Sequence, residues 1–197
     1  MEQKKKELRL IDGDLVNTFI KKRDRELHKG DCGRVLVIAG KEGMAGAAVL
    51  SARGALRAGA GLVRISAQKE IYPILQIGVP EATCISRTLL PEELNGYQAV
   101  VMGPGLGDED KHADLIENVF QAYEGPLVLD ADGLNLLARN MDWLKLRAER
   151  PLILTPHPGE GGRLLGLAVK YCIVWENHFY SFLNNISQLH IHLHLSP

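Results

Sequence analysis

Short apolar runs bounded by glycine alternate along this chain with stretches of helical spacing. Arg34-Val-Leu-Val-Ile-Ala39 is one such run, and the Ala-rich stretch Met44 to Ala58 follows it, with Gly59 and Gly61 as stop signals. Leu62-Val-Arg-Ile-Ser66 then resumes an extended pattern. Strand, helix and strand in that spacing predict a βαβ unit, and hence a parallel pair with a right-handed crossover. The pattern recurs. Ala99-Val-Val-Met102 runs into Gly103-Pro-Gly-Leu-Gly107 and a helix over Ala113 to Ala122. Pro126-Leu-Val-Leu129 runs into Asp130-Ala-Asp-Gly133 and a helix from Leu134 to Ala138. Pro151-Leu-Ile-Leu-Thr155 runs into Pro156-His-Pro-Gly-Glu160 and a helix that Arg163, Leu164 and Leu165 begin. Strands apolar at consecutive positions imply that both faces of the sheet are covered, so the expected fold is a three-layer α/β arrangement around a mostly parallel sheet.

Composition narrows the function classes. The chain has 197 residues, 46% hydrophobic and 24% charged, which suits one globular domain with a sizeable core. A net charge of -1 provides no global basic field, which argues against nucleic acid and anionic membranes as partners. Cys32, Cys84 and Cys172 are odd in number and form no C-x-x-C pair, as expected for a reducing compartment. The charged start MEQKKKELRL has no apolar stretch behind it, and no run reaches the roughly 18 apolar residues of a membrane span. A cytoplasmic protein is expected.

The chain changes character near Gly166. All 20 glycines lie at or before that residue, and the segment Leu167 to Pro197 carries only Lys170 and Glu176 as formal charges. That segment also holds His178, His190, His192 and His194 with a cluster of aromatic residues. Two parts are therefore expected, residues 1–166 as a coherent domain and residues 167–197 as a separate tail. Within the tail, Leu189-His-Ile-His-Leu-His-Leu195 alternates strictly, so a strand would put its three histidines on one face. With no carboxylate nearby to orient the rings, this row is weak evidence for a metal site. A change of reading frame after Gly166 would account for the break, and it would leave the sheet with an uncovered edge.

Ligands of open α/β sheets bind beyond the carboxyl ends of strands, where loops meet helix N-termini. Four loops qualify. Gly40-Lys-Glu-Gly-Met-Ala-Gly46 places three glycines between strand and helix, consistent with a close approach to a ligand or with a tight turn ahead of close helix packing. Three spaced glycines in Gly103-Pro-Gly-Leu-Gly107 are costly unless the backbone needs unusual angles beside a ligand. Asp130 and Asp132 stand at a strand end, Asp130 as a support for phosphate or metal and Asp132 as the cap of the following helix. In Thr155-Pro-His-Pro-Gly-Glu160, two prolines fix the backbone around His157, which favours a ligand contact, and Glu160 suits the positive end of a helix dipole.

Taken together, six segments carry a resemblance. His28-Lys-Gly-Asp31 with Gly33, Ala45-Gly-Ala-Ala-Val-Leu50, Leu56-Arg-Ala-Gly-Ala-Gly-Leu62, Gly103-Pro-Gly-Leu-Gly107, Leu129-Asp-Ala-Asp132 with Leu134-Asn135, and Thr155-Pro-His-Pro-Gly-Glu160 occur in order. The set resembles the ADP/ATP-dependent NAD(P)H-hydrate dehydratases from about His28 to Gly166. That resemblance implies a ribokinase-like fold, incomplete here at its C-terminus. It also implies an ADP- or ATP-dependent hydro-lyase, with Mg²⁺ at the transferring phosphoryl, that returns the S-form of hydrated NADH or NADPH (NADHX, NADPHX) to NAD(P)H. It places substrate contacts on Ala47, on the Gly105 to Gly107 backbone and on His157, and it implies homo-oligomers for the complete domain. The family continues into a Lys-Gly nucleotide loop and a late G-x-G-D motif with the catalytic Asp, neither of which follows Gly166 here. Gly105-Leu-Gly-Asp108 matches the motif in form but lies inside the earlier glycine loop, so no catalytic residue is assigned and impaired activity is expected. A related ribokinase-like small-molecule kinase and an inactive nucleotide-binding remnant are the alternative readings.

Overall fold

Alternation along each buried strand sends successive side chains to opposite faces of the sheet, and the core divides accordingly. The computed structural model describes residues 12–19, 24, 26–88, 91–107, 109–147, 150–166 and 191–193. Among these, the strands are β1 (Arg34–Ile38), β2 (Leu62–Ser66), β3 (Thr83–Ile85), β4 (Ala99–Met102), β5 (Leu127–Leu129), β6 (Leu152–Leu154) and β7 (Ile191–Leu193). They form one sheet in the order β3-β2-β1-β4-β5-β6-β7, and every pairing is parallel. The helices are α1 (Gly13–Phe19), α2 (Ala45–Ala58), α3 (Tyr72–Gly78), α4 (Pro91–Leu94), α5 (Ala113–Ala122), α6 (Asp132–Arg139) and α7 (Pro158–Leu165).

Leu36 and Ile38 of β1 join Val100, Met102, Leu127, Leu129, Leu152 and Leu154 in one apolar cluster beneath α5 and α6. Val37 and Ala39 face the other way, into a second cluster with Val63, Ile65 and the buried Ala45, Ala48 and Ala52 of α2. Residues spaced three and four apart line one side of a helix, and here all three are alanine, so α2 packs close to the sheet. It ends at Gly59 in the left-handed conformation, with the Ala60 N–H donating to Ala55 O at 3.0 Å. The Lys29 carbonyl sits against Gly61, where a side chain would collide with it. The His28-Lys-Gly-Asp31 segment therefore packs on the turn between α2 and β2.

The expected three-layer architecture is present, and all of its pairings are parallel. Three findings differ from the sequence reading. First, α6 begins at Asp132 and α7 at Pro158, ahead of the expected starts. Second, β3, α3 and α4 lie in a stretch that gave no pattern. Third, β7 pairs with β6 from Leu152↔Ile191 to Leu154↔Leu193, so the outer edge of β6 is covered over that register. His190, His194 and the rest of 167–197 lie outside the described residues, as does Asp108.

Arg147 ties the amino ends of β5 and β6 together. It is fully buried and donates from Nη1 to Tyr123 O at 2.6 Å and from Nη2 to Gly125 O at 2.6 Å and to Pro151 O at 3.1 Å. Its guanidinium carbon lies 6.0 Å from the Phe120 ring centroid and 5.7 Å from that of Tyr123. Burial, reinforced by the Arg150 charge, pulls its pKa down to about 10, so it remains charged at neutral pH. Substituting Arg147→Leu removes these donations to three carbonyls, of which that of Tyr123 is buried. We expect a loss of about 3 kcal/mol, read as a lower urea midpoint at unchanged slope. An unchanged midpoint would show that the guanidinium adds no net stability.

Candidate functional site at the carboxyl edge of the sheet

Parallel strands deliver all their carboxyl ends to one edge. The chain proceeds from β1 outward through β2 to β3, then returns to the other side of β1 for β4, β5 and β6. Crossovers leaving β1 and β4 therefore diverge, and a crevice opens between their loops. These are the loops of Gly40 to Met44 and Gly103 to Gly107. The Gly40 N–H donates to Pro104 O at 2.9 Å, and the Gly103 N–H donates to Ile38 O at 3.1 Å, which locks the two loops side by side.

Gly105 has φ of +60, and a Cβ there would lie 2.9 Å from the Ala47 Cβ and 3.0 Å from Met44 O. The structure thus brings together Ala47 and Gly105, two of the residues assigned to substrate. Gly107 joins them through its N–H, which donates to Asp132 Oδ2 at 2.8 Å. Asp132 therefore departs from its expected role. The capping position belongs to Ala131, which has φ of +49 and makes no side-chain cap, and Asp132 instead braces the glycine loop. Asp130 accepts the Ala131 N–H on Oδ1 at 2.9 Å, and its carbonyl lies directly against Gly103.

His157 stands one loop further along, at the end of β6. Its neighbour across β5 is the β4 loop, and two strand spacings put the two loops about 10 Å apart. The polar partners of His157 lie within its own loop and α7. His157 caps α7 in a reciprocal arrangement: Nδ1 accepts the Gly159 N–H at 3.0 Å while Glu160 Oε2 accepts the His157 N–H at 2.9 Å. Nε2 lies 3.1 Å from Glu160 Oε1. An accepting Nδ1 places the ring proton on Nε2, an assignment made from the hydrogen-bond network. The ring is held at both nitrogens yet 61% exposed, while Glu160 is only 8% exposed. Its open face is what remains for a ligand.

A basic cluster that the sequence reading missed borders the same crevice. Lys41 Nζ donates to Glu109 Oε1 at 2.9 Å, His112 Nε2 lies 3.1 Å from Glu109 Oε2, and Lys111 Nζ lies 3.6 Å from it. Arg87, which follows β3, reaches across β2 and donates from Nη2 to the Gly40 carbonyl. Burial lowers the pKa of Arg87, and burial together with the Arg87 charge lowers that of His112, which is therefore neutral at pH 7. Lys41 lay within a loop already singled out; Arg87 had no local pattern to mark it. At the opposite end, by the amino ends of β1 to β3, Arg34, Arg64, Glu81, Thr83, Glu93 and Tyr97 line a cavity of about 370 Å³. Among the described residues no three His, Cys, Asp or Glu side chains gather as a metal cage, and no helix is long and apolar enough to cross a membrane.

These features define a doubly wound, all-parallel α/β protein with a glycine-lined crevice at the point where its strand order reverses. A family model described as NAD(P)H-hydrate dehydratase matches residues 35–191, and the chain belongs to that family. A bifunctional NAD(P)H-hydrate repair enzyme of Coxiella burnetii is 42% identical over 167 residues, covering 81% of this chain and 32% of that protein. The crystal structure of an ADP/ATP-dependent NAD(P)H-hydrate dehydratase from Bacillus subtilis, co-crystallised with ATP/Mg²⁺, superposes with a TM-score of 0.75 at 29% identity. That match covers 93% of this chain and 65% of the other. A ribokinase-like superfamily protein of Enterococcus faecalis shares the fold, with a TM-score of 0.80 at 21% identity over 98% of this chain and 69% of its own. The chain spans between about a third and just over half the length of the curated relatives it matches.

Two outcomes follow from this geometry. At Gly103, with φ of +121, a Cβ would collide with the Asp130 carbonyl and lie 2.8 Å from the Gly133 N. Gly103→Ala should therefore cost about 3 kcal/mol or more, measured by denaturant unfolding. The hydrogen bond from Lys41, aided by the Lys111 and His112 charges, holds the Glu109 carboxyl down to about 2 from its ordinary 4.5. A depressed carboxylate pKa means that the pair is intact above 4.5 and is lost as pH falls through about 2. A carboxyl-carbon NMR titration should find a Glu109 midpoint near 2, returning toward 4.5 in Lys41→Met.

Proposed function

We propose that this chain serves nicotinamide-nucleotide repair, with the crevice between the β1 and β4 loops holding the hydrated dinucleotide. Its contacts are Ala47, the Gly105 to Gly107 backbone and His157. The observation that carries the reading is the closure of Gly105 on Ala47 within a chain of this family. Small residues on both sides let the two loops close on each other, and the shallow slot above their contact suits a flat ring flanked by polar substituents. His157, fixed by its capping bonds, offers a positioned ring face at small entropic cost. Asp130 supports the loop from below, where a phosphate or its metal would approach.

The reaction is the ADP- or ATP-dependent dehydration of the S-form of hydrated NADH or NADPH. The hydroxyl at the hydrated ring is phosphorylated, the ring loses phosphate and a proton, and the dihydronicotinamide is restored. Mg²⁺ would arrive with the nucleotide, since it is commonly held by one or two carboxylates plus substrate phosphates, and it would neutralise the phosphoryl charge. The described residues supply no general base at the reacting hydroxyl, so no proton transfer is assigned to any of them. We place the activity in the cytoplasm, with a homo-oligomer expected of the complete domain.

Calorimetry with chemically hydrated NADPH tests the reading. The chain should bind it more tightly than a small alcohol of the kind a ribokinase-like kinase would phosphorylate. Ala47→Leu, which fills the slot facing Gly105, should weaken binding tenfold or more, about 1.4 kcal/mol. Equal affinity for the alcohol, or no effect of filling the slot, would overturn it.

A further inference from the structure

Arg87 is the least satisfied charged side chain near the crevice. Only Nη2 has a partner, the Gly40 carbonyl; Nε and Nη1 are buried and without one among the described residues. Buried donors of a charged group are rarely left unpaired, and two on one guanidinium call for an acceptor such as a bound anion. The surroundings point the same way. His112 lies within the electrostatic reach of Arg87, and Lys41 and His112 both meet the carboxylate of Glu109, the acid common to all three among the described residues. Asp110, the next acid along, pairs instead with Arg139 at 3.5 Å. His112 Nε2 is also buried and makes no hydrogen bond of good geometry. The cluster opens onto the glycine loop, since a Cβ at Gly107 would lie 2.6 Å from Glu109 Oε2 and 3.0 Å from Lys41 Nζ.

We propose that Arg87, Lys41 and His112 form a phosphate-binding pocket beside the Gly105 to Gly107 loop, and that Glu109 occupies it as the resident counter-anion until a ligand phosphate displaces it. The proposal rests on the dinucleotide reading above and deepens it, because it names the groups that hold the phosphate end of the substrate while the slot holds the ring. A guanidinium and an ammonium on one side, with a buried imidazole on the other, match the several oxygens of a phosphoryl group better than they match one carboxylate. The phosphate is either the pyrophosphate bridge or a ribose 2′-phosphate.

Calorimetric titration of the full chain with inorganic pyrophosphate, hydrated NADH and hydrated NADPH separates these cases. Arg87→Gln should weaken binding at least tenfold, Lys41→Gln should weaken it several-fold, and Glu109→Gln should tighten it several-fold, with thermal unfolding confirming that each variant folds. Opposite signs for Arg87 and Glu109 are the signature that a purely structural role would not give. Loss against both hydrated dinucleotides assigns the pyrophosphate bridge; loss against hydrated NADPH alone assigns the 2′-phosphate. If the wild-type chain binds hydrated dinucleotide and the three variants bind it equally well, the pocket is overturned and the function stands. If the wild-type chain binds pyrophosphate with the expected changes but no hydrated dinucleotide, the pocket stands and the substrate reading falls.

Discussion

At the carboxyl ends of β4 and β5 two backbones meet with no room for a side chain between them. Gly103 lies against the Asp130 carbonyl and the Gly133 N, and its φ of +121 turns the chain out of β4. The other features of the crevice depend on that approach. Because β4 ends there, Pro104 can accept from Gly40, Gly105 can lie on Ala47, and Gly107 can reach the Asp132 carboxylate. A wider spacing would separate the β4 and β5 loops, and Asp132 could no longer brace Gly107. The glycines serve this contact geometry; loop flexibility would not require such tight neighbours.

The same physics decided what could be read in the sequence. β1, β2, β4, β5 and β6 were legible because strands buried on both faces are apolar at nearly every position, and glycine or proline marks their ends. β3 is three residues at the sheet margin with only partial burial, so Thr83-Cys-Ile85 carries no comparable signal. α3 and α4 are seven and four residues long, too short for a periodicity to emerge. The start of α7 was hidden because Pro158 and three glycines are poor interior helix formers, and tertiary packing with the His157 cap overrides that propensity.

The site divides along similar lines. Ala47, Gly105, Gly107, Asp130 and His157 could be proposed from the sequence because each lies in a loop that directly follows a strand, or in the first turn of the helix after it, where a short motif maps onto one place in space. Asp132 misled because the capping position falls one residue earlier, on the strained Ala131, and the Asp132 carboxylate turns to the Gly107 N–H. Arg87 was invisible for a different reason. It comes from the far side of β2 and meets the β1 loop only through tertiary structure, across 47 positions of sequence to Gly40. Local pattern cannot report such a contact.

The two ends of the sheet use arginine in contrasting ways, and the contrast locates the chemistry. At the amino ends Arg147 engages three carbonyls through both Nη atoms, its Nε without a partner among the described residues, and Arg150 bonds Gln121 O at 2.8 Å nearby. Those guanidinium groups close the fold. The amino-end cavity beside β1 to β3 is lined by Arg34 and Arg64 together with Glu81 and Glu93, a balanced set with no preference for either sign of ligand. At the carboxyl ends the described residues are not balanced, because Arg87, Lys41 and Lys111 all lie around the carboxylate of Glu109. An excess of positive charge held next to close-packed glycine backbone is what a phosphorylated ligand requires. Strand polarity puts that excess on the same edge as the slot.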